Sequence, residues 1–304
     1  MSIETSFKNR LGKSVLFHEP LKNHVAYRVG GPADILAFPQ SEEDLVWIGQ
    51  QAQAHSLPLT VIGRGTNLLV SDKGIRGITV SLEKAFKTIE LLSQQPDGKI
   101  WVKAGGGVSK PELLEWAVQG GFTGLEFSSG VPGTIGGGIF MNAGTKYGCY
   151  GDILKELRLF DFSTGAQTFS RKEFHFGYRE QTAVKNRLVL WATFELIRGE
   201  PTAIRTEVNR IIQERADKQP LDFPSCGSTF KNPEGYSAGR LIEKAGLKGR
   251  TVGGAQISEK HANFILNKGN ATAQDILDLI QIAKDTVQSQ FGVTLECEVI
   301  ILGN

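Results

Sequence analysis

Residues 124–144 read GLEFSSGVPGTIGGGIFMNAG, twenty-one positions without a lysine, arginine or histidine. Glycine costs roughly 1 kcal/mol per residue against alanine in a helix interior, so a cluster this dense predicts neither an ordinary helix nor an ordinary strand. It predicts backbone that turns through positive φ or lies flat against a ligand. Gly130, Gly133, Gly136, Gly137 and Gly138 strip away side chains and leave main-chain N–H groups, the chemistry that lines an anion such as a pyrophosphate, while Pro132 fixes one φ. A second loop of this kind is GRGTNLL at 63–69, whose Asn67 tolerates left-handed backbone or bonds its own main chain. One such loop is also what a tight turn between strands looks like. Two of them, each beside strand-like apolar runs, favour a large phosphate-bearing cofactor. Neither fits the common nucleotide motifs: GRGTNL is not G-x-G-x-x-G, no acidic residue closes a strand–helix–strand unit at the usual distance, and there is no Walker lysine.

Metal and thiol chemistry have little support. Cys149, Cys226 and Cys297 are odd in number and far apart, which predicts reduced thiols and no disulfide framework or zinc site. His18, His24, His55, His175 and His261 form neither HxH nor HExxH, so no protein-held metal is expected.

The elements that must position these loops follow from periodicity. After the Gly-Gly-Pro turn in YRVGGPAD (27–34), residues 35–38 predict a strand. Ser41 with Asp44 predicts a helix N-cap, Leu45, Ile48 and Ala52 recur at helical spacing, and 59–62 resumes as a strand leading into GRGTNLL. Further strands are expected at 78–82, 88–92 and 100–104. Ser109 and Glu112 make a capping box for a helix carrying Leu113, Leu114, Ala117 and Val118 and stopped by Gly120 and Gly121. Beyond the glycine stretch, 157–162, 167–169 and 188–196 predict strands, with FGYRE (176–180) between them. From Thr202, the residues Ile204, Val208, Ile211 and Ile212 make one face of an amphipathic helix ending near Gln219-Pro220. The composition shift there places a domain boundary just before it, giving 1–200 and 201–304. The remainder predicts a loop at 224–233, a short helix at 237–245 and a strand at 263–267. A helix from Thr272 stacks Ile276, Leu279, Ile280, Ala283 and Val287, and a last strand runs over 294–302. No internal repeat is visible.

The 304 residues suffice for two domains, and 40% hydrophobic with 22% charged content is that of a soluble globular protein. A net charge of +2, with no basic run, gives no nucleic-acid or membrane-surface footprint. No apolar run approaches the roughly 18 residues of a spanning helix, and the first residues lack a signal-peptide core, so a cytoplasmic protein without membrane insertion is expected.

Six motifs stand in one order and spacing: GGPAD, GRGTNLLVSDKGIRG, GLEFSSGVPGTIGGGIFMNAG, FGYRE, PSCGSTFKNP and LECEVI. Together, over about 27–303, they resemble the UDP-N-acetylenolpyruvoylglucosamine reductases, FAD enzymes that complete UDP-N-acetylmuramate for bacterial peptidoglycan. The resemblance implies an α+β protein: an FAD-binding domain of the PCMH type shared with vanillyl-alcohol oxidase (1–200), then a substrate-binding α+β domain (201–304). It implies that Arg64, Gly65, Thr66, Asn67 and Leu68, with Gly130, Pro132, Gly133, Thr134, Gly136 and Gly137, hold the FAD pyrophosphate. Asn142, Ala143 and Gly144 would border the isoalloxazine. Neither glycine loop carries a histidine or cysteine, so the FAD is expected to be non-covalent, with NADPH as reductant and a UDP-sugar enolpyruvate as substrate.

The chemistry implied is hydride delivery to the methylene carbon, stabilisation of the negative charge on the carboxyl end, and a proton for the neighbouring carbon. Arg179 of FGYRE is the implied charge stabiliser. Ser228 of GSTFKNP is the implied proton donor, a weak acid that must be held close to carbon. On an alternating strand Glu296 and Glu298 share a face, so geometry leaves both open, and the match of the E-V pair selects Glu298. A carboxylate beside a reacting carboxyl must be protonated or paired, and a shared network with Arg179 is expected. The family's usual arginine two places on is Ile300 here. Lys231 and Asn232 are placed on the substrate phosphate or sugar. Tyr178 stands on substrate or flavin, or is a packed core tyrosine. His261 reaches the diphosphate or uracil, or is structural. The short run 144–228 has no room for the tyrosine-bearing substrate loop of some relatives, which implies the loop-lacking type. Two rival readings are a PCMH-type flavin oxidase or dehydrogenase of another small molecule, and a flavin-binding protein without turnover.

Overall fold

A computed structural model describes residues 2–95, 97–182, 184 and 187–303. The chain divides into two compact units, the first made of 1–16, 36–64 and 79–215, the second of 17–35, 65–78 and 216–304.

The first unit is built on a largely antiparallel sheet in the order Gly165–Ser170, Leu154–Asp161, Leu188–Arg198, Lys99–Gly105, Ile89–Gln94, with Phe122–Thr123 pairing alongside Leu188–Arg198. Leu188–Arg198 reads as a nearly continuous apolar run because both its faces are covered: Leu188, Val189, Leu190, Ala192, Phe194 and Leu196 are all buried. The helix Lys110–Gly120 forms where the capping box places it. Ser109 Oγ accepts from the Glu112 N–H, and Gly121 closes the helix in the left-handed region at φ 69°. Its Leu113, Leu114, Ala117 and Val118 join the core with Val102, Ile135, Ile139 and Phe194.

The helix predicted from Thr202 is Pro201–Lys218. Its Ile204 and Val208 belong to the first unit's core, so residues 201–215 stand with that unit rather than with the following segment. Ile212, placed on the same face from sequence, is 44% exposed, and the buried stripe is the narrower Ile204, Val208, Ile211. The opening residues form a helix, Ile3–Leu11, capped by Ser2 and burying Phe7 and Leu11. A four-stranded sheet runs Val15–Pro20, Pro32–Ala37, Ile75–Ser81, Leu59–Ile62, and the divisions at 16/17, 35/36 and 78/79 fall inside three of its strands.

The second unit packs the helices Ala238–Lys244 and Ala273–Phe291 on a three-stranded sheet, Thr251–Val252, Ala255–Ile257, Ile265–Asn267. Two segments distant in sequence are sewn into it. Leu68–Val70 pairs in parallel with Ile300–Leu302, and Asp72 Oδ1 and Oδ2 accept the Ala273 and Gln274 N–H groups at 2.9 and 3.1 Å, capping the long helix. Beside this cap Gly74 has φ 79°, and a Cβ there would lie 1.9 Å from the Pro32 carbonyl oxygen. Gly74→Ala therefore combines backbone strain with a main-chain clash and is expected to cost about 2 to 5 kcal/mol. Gly98, at φ 82° with nothing within 4 Å, is the control, and its alanine variant is expected to lose only about 1 kcal/mol. Denaturant titration of both variants measures the difference, and equal losses would refute the clash.

Among the described residues no helix is long and apolar enough to cross a membrane, and no group of three or more metal-ligating side chains exists.

Candidate active site

In the first unit the two glycine loops meet at one hydroxyl. Thr134 caps a short helix, Ile135–Phe140, its Oγ1 accepting from the Gly137 N–H at 3.2 Å. A Cβ built on Gly63, at the mouth of GRGTNLL, would lie 3.0 Å from this Oγ1, and one on Gly137 would lie 3.5 Å from it; neither would meet anything else within 4 Å. Bare main chain from both loops thus borders open space around a hydroxyl, which is what a phosphate-bearing group needs, and the residues present fit such a cofactor.

The expectation that this stretch forms no helix is corrected here, since Gly136, Gly137 and Gly138 stand inside one. The reason is tertiary. A Cβ on Gly138 would come within 2.9 Å of the Tyr150 ring, and one on Gly136 within 3.2 Å of the Gly106 carbonyl oxygen. The Gly136 N–H donates to that same carbonyl at 2.9 Å, and Gly133 accepts from the Lys110 N–H at 2.9 Å.

FGYRE is a minimal hairpin, Phe176–Gly177 against Glu180–Gln181, with Tyr178 and Arg179 as its two-residue tip. Arg179 holds φ 54°, strained for a side chain of its size, and its Nη2 donates to the Gly144 carbonyl at 3.1 Å. Tyr178 is 54% exposed with the Arg179 guanidinium 5.2 Å from its ring centroid, which removes the core-tyrosine alternative. Asn142 braces this hairpin. Its Nδ2 donates to the Gly177 carbonyl at 2.7 Å, its Oδ1 accepts from the Gly151 N–H at 2.9 Å and its N–H donates to the Ile139 carbonyl at 3.0 Å, so its side chain serves the fold. Ala143 packs against the core, and Gly144 pairs with Cys149.

Two cations that the sequence reading passed over stand beside these residues. Lys110 is 5% exposed, and its ammonium is pushed down to about 7 by burial first and then by Arg179 and Arg215. Arg215, on the helix Pro201–Lys218, lies with Nε 3.1 Å from the Cβ position of Gly130 and is itself lowered by burial. The sequence held a sign of Lys110: a cation in the first turn of a helix sits at the wrong end of the macrodipole.

In the second unit the serine and glutamate motifs are joined through main chain. The Glu298 N–H donates to the Thr229 carbonyl at 2.8 Å, the Lys231 N–H to the Glu296 carbonyl at 2.9 Å, and Phe230 bridges Cys297. Asn263, unmentioned in the sequence reading, holds the serine loop from behind. Its carbonyl accepts from the Thr229 N–H at 2.7 Å, and its side chain bonds both the N–H and the carbonyl of Phe230 at 2.9 and 2.8 Å. Ser228 therefore sits half-buried between the buried residues Cys226 and Thr229, after Gly227 at φ 77°. Cys226 Sγ contacts the Leu68 carbonyl at 3.3 Å and its thiol is pushed up to about 12 by burial, the properties of an anchor rather than a nucleophile.

The glycine loop joins the same network. Asn67 Nδ2 donates to the Glu298 carbonyl at 2.9 Å, and the Ile300 N–H donates to the Asn67 carbonyl at 3.0 Å. Gly65 is buried, and its carbonyl accepts from the Ala26 N–H at 3.0 Å; Thr66 is half-buried and Arg64 exposed. The predicted strand 294–302 is only Ile300–Leu302, with a bend at 298 and 299, so simple alternation does not relate Glu296 to Glu298. The two residues differ in exposure: the Glu296 side chain is 74% exposed and faces Lys231 Nζ at 3.5 Å, while Glu298 is half-buried, its main chain bonded to Thr229 and Asn67.

Of the remaining candidates, Asn232 Oδ1 accepts from the Ala238 N–H at 3.0 Å, at the start of Ala238–Lys244. His261 Nδ1 accepts from the Asn263 N–H at 3.2 Å and its ring packs on Phe264; burial lowers its pKa, which keeps the ring neutral near pH 7.

A family profile described as FAD binding domain matches residues 33–168, and one described as UDP-N-acetylenolpyruvoylglucosamine reductase, C-terminal domain, matches 219–302. The chain is 42% identical to the UDP-N-acetylenolpyruvoylglucosamine reductase of Moorella thermoacetica over 95% of its own length and 93% of that protein. It is 44% identical to the enzyme of that name from Pediococcus pentosaceus, over 95% and 94%. The crystal structure of the Thermus caldophilus reductase superposes with a TM-score of 0.79 at 33% identity, covering 95% of this chain and 98% of that one. The architecture is α+β, a PCMH-type FAD-binding domain with the reductase C-terminal domain. With the serine and glutamate motifs in one main-chain network and this identity along nearly its whole length, the chain belongs to the UDP-N-acetylenolpyruvoylglucosamine reductase family.

Proposed function

We infer that this protein is a UDP-N-acetylmuramate dehydrogenase, reducing the enolpyruvyl ether of UDP-N-acetylglucosamine enolpyruvate with NADPH through non-covalent FAD, in bacterial peptidoglycan synthesis. The observation that carries the reading is the bond from the Glu298 N–H to the Thr229 carbonyl, which sets the proton donor's loop beside the glutamate. The reading puts the reaction in the cytoplasm, where UDP-sugars and NADPH are made.

FAD, when bound, supplies two-electron transfer from NADPH to the substrate double bond. Arg64, Gly65, Thr66, Asn67 and Leu68, with Gly130, Pro132, Gly133, Thr134, Gly136 and Gly137, are assigned to its pyrophosphate. Asn142, Ala143 and Gly144 are assigned to its ring. Segments 36–64 and 79–200 thus serve mainly the cofactor, and 201–304 mainly the substrate. Arg179 is assigned to the substrate carboxyl, where a delocalised cation offsets the charge that develops as the double bond is reduced. Ser228 Oγ gives its proton to the adjacent carbon. Its weak acidity is offset by position, since Asn263 accepts from the Thr229 N–H and bonds both the N–H and the carbonyl of Phe230, while the Glu298 N–H holds the Thr229 carbonyl. Glu298 orients the serine end of the network. Lys231, Asn232, His261 and Tyr178 are assigned to the phosphate and sugar.

The test is an absorption spectrum of the purified protein. A flavin spectrum is expected that bleaches with NADPH and returns, in air-free solution, on adding one equivalent of the enolpyruvyl substrate. Bleaching without recovery would point to the oxidase or dehydrogenase reading, and no flavin spectrum would overturn both.

A further inference from the structure

Lys110 is placed where a lysine is disfavoured on every count. It occupies the first position of the helix Lys110–Gly120, at the positive end of the macrodipole, and is 5% exposed. Its side chain runs along the glycine helix, with Cδ 3.4 Å from the Cβ position of Gly138. The charged groups acting on it are Arg179 from the hairpin tip and Arg215 from Pro201–Lys218, both cations. The nearest acid on its own helix, Glu112, turns back to Ser109, its Oε2 lying 3.5 Å from the N–H and 3.4 Å from Oγ. Tyr150, whose ring borders the same Cβ position of Gly138, is buried and held in its neutral form. Among the described residues no carboxylate pairs with Lys110 or Arg215. A buried ammonium beside further cations has a reason to persist if an anion completes the set.

We propose that the buried Lys110 and the half-buried Arg215 form an anion-binding pair for the diphosphate of one of this enzyme's ligands, facing the glycine stretch at Gly138 and Gly130. The assignment rests on the function proposed above, in which FAD, NADPH and the UDP-sugar all carry that group. It has a protonic consequence. Below pH 7 Lys110 is already charged and the anion binds without proton exchange. Above that value the anion must bring a proton with it, so affinity falls as pH rises, by up to tenfold per unit, until the raised pKa of the complex is reached.

The experiment measures three dissociation constants from pH 6 to pH 9: FAD on the apoprotein by flavin fluorescence, and NADP+ and UDP on the holoenzyme by calorimetry. Calorimetry in two buffers of different ionisation heat counts the protons taken up. The ligand whose diphosphate is held is expected to bind Lys110→Met at least about tenfold more weakly at pH 6, and above pH 7, where the ligands' own phosphates are ionised, to lose the proton uptake seen with the parent. Lys110→Arg is expected to keep the affinity and lose the pH dependence. Met removes a buried charge at little cost in volume, so the variant is expected to melt no lower than the parent. Wild-type affinities and proton counts for all three ligands in Lys110→Met would overturn the assignment. Turnover of the enolpyruvyl substrate by the unaltered protein is scored separately, so a failure at Lys110 leaves the function standing, and a failure of turnover is seen as such.

Discussion

Ser228→Ala is expected to bind FAD and be reduced by NADPH at the parental rate, while transfer to the enolpyruvyl substrate slows by on the order of 10²- to 10⁴-fold. The selectivity follows from how the loop is held. Thr229 and Phe230 are fixed by Asn263, and Glu298 is fixed to the Thr229 carbonyl, all through groups that the Ser228 side chain does not supply. Removing one hydroxyl therefore removes a proton donor and leaves the loop in place. Stopped-flow mixing separates the two half-reactions: flavin bleaching by NADPH, then recovery with substrate. An unaltered second phase would eliminate Ser228 as the donor, and a loss confined to the first would place the residue on the NADPH side.

What could be read from sequence divides by the range of the interactions that decide it. Caps were legible because they are local: Ser41 and Ser109 each accept from the N–H three residues on. The N-terminal helix was not, since only Phe7 and Leu11 carry its buried face and the other positions are mostly polar. The glycine helix could not be foreseen because its cause is the Tyr150 ring, twelve places from Gly138, which forbids a Cβ there. The composition boundary near 200 and the contact division at 215/216 differ for the same reason. Ile204 and Val208 bury in the first unit, and 65–78 belongs to the second because Asp72 caps a helix that starts two hundred residues later. In the site, the motif match singled out Glu298, and the structure separates it from Glu296 by burial: both main chains bond the serine loop, but Glu298 is half-buried against Asn67 and the side chain of Glu296 is exposed beside Lys231. Asn263 carries no signal of its own, because its role depends on pairing with a loop more than thirty residues away.

Arg179→Gly is expected to separate activity from stability. The parent residue sits at φ 54°, which costs a non-glycine side chain roughly 1 to 2 kcal/mol, and glycine releases that strain. Against this stand the greater freedom of glycine in the unfolded chain, about 0.5 to 1 kcal/mol, and the lost bond to the Gly144 carbonyl, about 1 kcal/mol. The terms nearly cancel, so the melting temperature is expected to stay within a few degrees of the parent. Catalysis has no such offset. A preorganised cation aimed at developing charge contributes about 3 to 4 kcal/mol, so kcat is expected to fall about 10²- to 10³-fold with FAD still bound. Arg179→Lys keeps the strain and one charge but not the planar fork, and is expected to fall between the two in rate while remaining no more stable than the parent. A residue held in strained backbone at the tip of a two-residue turn, if its loss leaves stability unchanged, is positioned for its chemistry. Should Arg179→Gly lose several kcal/mol of stability, the arginine's contacts within the fold would be the reason for it and its assignment to the substrate carboxyl would be lost.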